Sequence, residues 1–184
     1  MKLNYSLLAL FFLSLFLFSS CGDDDPVIED PEEVITTLNY TLSSGGSTVV
    51  LSFLDLDGDG GNDPTITGGT LSANATYTGT MELLNESESP AEDVTEEIAE
   101  ADEEHQFFFQ SSVSGLSVGY GDQDEDGNPI GLTSTITTGA AGSGTLTVTL
   151  RHEPNKSGDG VAGGDISNAG GETDIEVTFP IEVR

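Results

Sequence analysis

Basic residues are nearly missing from this chain. Four lysines and arginines stand against 33 aspartates and glutamates, and the formal net charge is −29. After Lys2 the only cationic side chains are Arg151, Lys156 and Arg184. Such a surface excludes nucleic acid as a partner, because phosphate binding needs cationic groups to displace counterions. It favours calcium, transition metals or basic partners instead. Tryptophan is absent and cysteine occurs once, so no disulfide within the chain staples the fold. Nucleophile motifs are missing too: there is no G-x-S-x-G elbow and no H-E-x-x-H. The glycine-rich run from Gly139 to Gly144 lacks the lysine of a phosphate loop, and carboxylates are too numerous to single out an acid/base pair. The chain is not expected to be an enzyme.

The single cysteine is informative by its place. Lys2 is followed by an apolar run from Leu7 to Phe18, then Ser19, Ser20 and Cys21. This is the layout of a secretory signal, too short for a membrane span and without a basic stop-transfer flank. A cysteine at the cut site resembles the lipobox of bacterial lipoproteins, which implies lipidation of Cys21; the alternative is an unmodified thiol in a secreted protein. The following Gly22-Asp23-Asp24-Asp25 resembles the acidic tag that sends Bacteroidota lipoproteins to the outer face of the outer membrane. As plain chemistry it is an acidic linker. The expected organisation is a signal peptide over 1–20, a lipidated acidic tether over 21–33 and one domain over 34–184.

Within that domain, short stretches of alternating polarity predict strands. Leu38, Tyr40 and Leu42 share one parity, Ser43-Ser44-Gly45-Gly46 reads as a turn, and Val49, Leu51 and Phe53 resume the alternation, which predicts a hairpin. Tyr77, Met81 and Leu83 mark another strand. Leu146, Val148 and Leu150 alternate with threonines, and Ile175, Val177, Phe179, Ile181 and Val183 alternate against Asp174, Glu176 and Glu182. Pro180 predicts that this last strand lies at a sheet edge or near a bulge. One segment departs from the pattern. Ser89-Pro90-Ala91-Glu92 has the form of a capping box with proline at the first helical position, and Val94, Ile98, Ala101 and His105 follow at helical spacing. An acidic helix is expected from Pro90 to Glu104, leading into Phe107-Phe108-Phe109 as a buried strand. The fold expected is all-β, an antiparallel β-sandwich or open barrel with one inserted acidic α-helix.

Two loops carry D-x-D-x-D-G: Asp55, Asp57 and Asp59 in the first, Asp122, Asp124 and Asp126 in the second. Alternate aspartates around a glycine turn aim several hard oxygens at one centre, which suits calcium. Ile66 and Thr133 stand where an EF-hand needs its twelfth-position glutamate, so these are expected to be inter-strand loops, completed by groups such as Asp63. Polar hairpin loops without an ion are the alternative.

The two histidines are a sharper signal. His105 follows the predicted helix, near Asp102 and Glu104, and His152 continues the inward parity of Leu150 and precedes Glu153. If they converge, His105 and His152 with Asp102, Glu104 or Glu153 would hold zinc or copper. Neighbouring carboxylates are expected to raise the proton affinity of the imidazoles. The alternative is two unrelated histidines, one at a helix C-terminus and one at a strand end.

Four segments, Leu54 to Gly61, Glu104 to Phe109, Leu150 to Pro154 and Asn168 to Asp174, resemble parts of small Bacteroidota lipoproteins described as type 1 periplasmic binding fold superfamily proteins. TonB-dependent receptors are often encoded beside those proteins, so the resemblance implies such a receptor as partner. It does not imply two doubly wound lobes, for which the chain has neither the length nor the strand–helix alternation. The combined expectation is an outer-membrane, lipid-anchored protein facing outside the cell that captures a metal ion or metal-loaded ligand for a TonB-dependent transporter. The competing expectation is a calcium-stabilised β-sandwich serving adhesion or scaffolding.

Overall fold

The computed structural model describes residues 33–58, 61–87 and 89–184. Cys21, the tag that follows it and Asp59 lie outside the described residues. The expected hairpin forms: β1 (Thr37–Ser44) pairs antiparallel with β2 (Ser47–Leu54) around Gly45-Gly46. Both glycines have positive φ, 56° and 87°, as a two-residue turn between right-twisted strands requires. The chain then continues through β3 (Thr65–Thr67), β4 (Gly69–Leu71) and β5 (Thr76–Asn85). Gly68 is where it passes from one sheet to the other. A Cβ there would meet the Pro180 carbonyl oxygen at 1.9 Å, so only glycine fits.

After β5 come β6 (Glu92–Asp93), α1 (Val94–Glu100), β7 (His105–Ser111), β8 (Ser117–Tyr120), β9 (Thr133–Thr137), β10 (Gly142–His152) and β11 (Glu172–Val183). One sheet runs β3-β2-β1-β5-β9-β8, with β6 also on β5; the other runs β4-β11-β10-β7. All pairings are antiparallel except β4 on β11. The inward residues of the two sheets make one core, with Leu38, Tyr40, Leu51 and Leu83 from the first and Phe107, Leu146, Val148, Leu150, Val177 and Phe179 from the second. This is the expected all-β sandwich, and its sheets keep separate edges rather than closing into a barrel. The edge strand β7 is covered locally, since Phe107 N–H donates to Ile130 O at 2.7 Å.

Two expectations need correction. The helix is shorter than predicted, because Glu92 and Asp93 pair with Asn85 and Leu84 as β6. The cap is therefore Asp93, whose side chain accepts from Thr95 N–H, rather than Ser89. Sheet pairing overrides the capping-box signal. Pro180, for its part, lies in a strand flanked on both sides. β4 reaches β11 only from Ile181 onward, so the missing N–H of Pro180 falls just outside that pairing.

On the outer side of the four-stranded sheet, Phe108 packs with Val161, Ala169 and Ile166 in a satellite core. Successive strand residues face opposite ways, so Phe107 and Phe109 serve the main core while Phe108 serves this one. The covering segment is the long β10–β11 connection, with single 3-10 turns at Val161–Gly163 and Ile166–Asn168. Gln106 ties it down, donating to Val161 O at 2.9 Å. Among the described residues no helix is long and apolar enough to cross a membrane.

Candidate metal centre

The start of β7, the end of β10 and the start of β11 lie together at one end of the four-stranded sheet. His105 and His152 are direct cross-strand partners in the β7–β10 ladder. Their ring centroids are 4.8 Å apart, with the planes at 77°. Both are buried, at 1% and 8% exposure. The histidine pairing expected from sequence is therefore present in the structure.

The carboxylate that joins them was not among the predicted ligands. His105, His152 and Asp174 each offer one ligand atom, all within 4.8 Å of one another. Among the described residues this is the one such group of three or more. Asp174 Oδ2 is 3.8 Å from His105 Nε2, and Asp174 Oδ1 is 3.8 Å from His152 Nδ1. Two ligands on one tetrahedral zinc at about 2.0–2.1 Å are roughly 3.3 Å apart, so each of these pairs needs to close by about half an ångström.

Alternation placed Asp174 on the outer face with Glu176. A bulge explains the difference. Leu150 pairs with Ile175 but Arg151 pairs with Thr173, so Asp174 is the supernumerary residue of β11. Bulges re-aim side chains. The Asp174 side chain is fully buried beside the imidazoles, whereas Glu172 and Glu176 are exposed.

His105 is held in a fixed orientation. Its Nδ1 lies 3.0 Å from Ala101 O, one turn back at the end of α1. A carbonyl can only accept, so Nδ1 carries the proton and Nε2 presents its lone pair toward Asp174. A ring N–H donated to a backbone carbonyl is the usual support of a metal-bound histidine. Among the described residues neither His105 Nε2 nor His152 Nδ1 has a hydrogen-bond partner.

Burial, the largest influence, lowers the His105 pKa below the ordinary imidazole value. The nearby His152 adds to this, and the Ala101 bond and the charges of Glu33 and Glu104 only partly offset it. This reverses the sequence expectation, because desolvation outweighs the neighbouring carboxylates.

The other predicted partners lie apart from this group. Asp102 contributes its backbone oxygen, to Lys156 Nζ. Glu104 and Glu153 have exposed side chains and bond through their backbones, with Glu153 N–H donating to Glu104 O at 2.7 Å. Glu33, assigned to the tether from sequence, stands instead at the rim of the centre. Its Oε1 is 3.9 Å from His105 Nε2, and its side chain is 21% exposed. Partial burial first, then Glu92 and Glu33, push Glu97 up to about 7. Carboxylates thus crowd this rim.

The aspartate loops do not gather their carboxylates at one point among the described residues. Asp55 Oδ1 accepts from Asp57 N–H and Gly58 N–H, and Asp57 Oδ2 accepts from Asn62. Asp63 and Asp126 are exposed. In the second loop Asp122 accepts from the N–H groups of Gly131 and Thr133 at 2.7 and 2.6 Å. Asp124 is buried and pairs with Lys156 Nζ at 2.9 Å. Burial alone would raise the Asp124 pKa, but the bonds from Lys156 and Asn128 prevail and hold it below the usual carboxylate value. In this loop an internal ammonium, that of Lys156, neutralises Asp124.

Comparison with family models, curated proteins and solved structures gave no match.

Proposed function

We propose that this protein captures and holds a divalent transition metal, zinc or copper, at His105, His152 and Asp174. The observation that carries the reading is the convergence of these three ligand atoms within 4.8 Å, in a buried place. Two imidazole nitrogens and a carboxylate are the donor set such ions prefer. Burial of all three side chains favours holding over catalysis, since a catalytic ion keeps a position open to substrate. The formal charge of −29 supports the reading by drawing cations to the surface.

The setting follows from the sequence. The Cys21 motif supports an outer-membrane lipid anchor facing outside the cell, and the family resemblance supports delivery to a TonB-dependent transporter. With Cys21→Ala, the chain should no longer fractionate with membranes.

Metal affinity tests the centre itself. His105→Ala and His152→Ala are each expected to abolish most zinc binding in calorimetry. The double variant should lose little more, because the residues act as one site. Weak, separable and additive losses would overturn the proposal.

A further inference from the structure

We propose that Glu33 is the fourth ligand of this centre and its gate, completing a shell of two histidines and two carboxylates and swinging away to admit or release the ion. The inference rests on the metal-binding reading above and adds the residue that controls access.

Charge balance is the first argument. His105, His152 and Asp174 around a divalent ion leave one net positive charge in a buried place. An uncompensated buried charge is costly. A second carboxylate brings the assembly to neutrality, and Glu33 approaches His105 Nε2 at 3.9 Å, nearly as closely as Asp174 at 3.8 Å. Among the described residues no lysine or arginine forms an ion pair with Glu33.

Mobility is the second. His105, His152 and Asp174 sit on paired strands, with side chains 1%, 10% and 0% exposed. Glu33 precedes β1 and, at 21%, is the most exposed of the four. After it Val34 is exposed, and the first attachments are Ile35, half-buried against the main core, and Thr36, whose N–H donates to Leu84 O at 3.0 Å and whose Oγ1 accepts from Glu86 N–H at 2.8 Å. Two residues of extended chain reach about 7 Å. Glu33 can therefore leave the rim by rotation ahead of Ile35, with β1 and the other three ligands in place.

Cobalt(II) is a suitable probe, because zinc is spectroscopically silent and four-coordinate cobalt absorbs strongly in the visible. The wild-type chain is compared with Glu33→Ala, Glu33→Gln, Glu33→Asp and the exposed-helix control Glu96→Ala. Titration, visible spectra and the rate of loss to excess chelator are measured, with circular dichroism checking the fold. Glu33→Ala should weaken cobalt binding by roughly 10-fold or more, the scale seen for even supporting groups at metal sites. It should also change the spectrum and speed release. Glu33→Asp should restore part of the wild-type behaviour, and Glu33→Gln should fall between. If Glu33→Ala matches wild type and Glu96→Ala in all three readouts while the histidine variants lose cobalt, the gate is wrong and the centre stands. If the histidine variants bind cobalt as wild type does, or wild type binds none, both proposals fall.

Discussion

His105 and His152 face each other directly across the β7–β10 ladder, with ring centroids 4.8 Å apart. Antiparallel pairing therefore sets the two imidazoles side by side without help from an ion. What the ladder does not supply is charge, which comes from Asp174.

Replacing Asp174 with asparagine separates these contributions. The side chain keeps its size and an oxygen, but the anionic ligand is lost. Zinc affinity is expected to fall by about 10-fold or more, with far-ultraviolet circular dichroism unchanged. Unaltered affinity in calorimetry would show that the carboxylate is not a ligand.

Acid should release the metal later than an ordinary histidine site would allow. The folded His105 pKa lies below 6.5, so its share of proton competition sets in only below that pH. The same shift sets a sign for the metal-free protein. Between the folded value and 6.5 the unfolded chain binds a proton that the native state does not, so this histidine makes stability fall as pH drops through that window. Glu97 acts oppositely. Its folded value of about 7 lies above the ordinary glutamate value of 4.5, so its contribution favours folding as pH falls from 7 toward 4.5, an effect reduced by its partial exposure. Metal-free His105→Gln should therefore show a flatter, or reversed, decline in urea-unfolding stability between pH 7 and 5. A slope equal to that of wild type would refute the assignment.

Lys156→Met should be severe. It leaves the buried carboxylate of Asp124 without its ammonium, and breaking a buried pair from one side costs about 3–5 kcal/mol. Adding Asp124→Asn should recover part of that loss, and denaturant unfolding of the three variants measures both effects. In wild type the contribution of Asp124 is present at neutral pH and is lost only as pH falls below about 3.8 through its lowered folded value.

The strands were legible because each carries its polarity locally. Leu38 to Leu42, Tyr77 to Leu83 and Leu146 to Leu150 alternate as half-buried strands must. The helix start was misplaced because Glu92 and Asp93 obey β5, a partner that the local capping signal does not represent. For the centre, His152 was readable as inward from its parity with Leu150. That His105 stands opposite it depends on the β7–β10 register, which neither strand states alone. Asp174 was hidden by the very rule that found its strand, since a bulge breaks parity without a mark in composition. Glu33 was hidden by its acidic, proline-punctuated surroundings, which resemble a solvated linker.

The internal ammonium has a practical consequence. Lys156 is the only lysine among the described residues, and its side chain is 5% exposed. Amine-directed reagents should thus find almost nothing to acylate on the folded sandwich, and crosslinkers of that kind would report few of its neighbours. Labelling of Lys156 would instead mark the moments when the turn at Asp102, the loop at Asp124 and the strand connection after β10 come apart, a chemical clock for opening beside the two histidines.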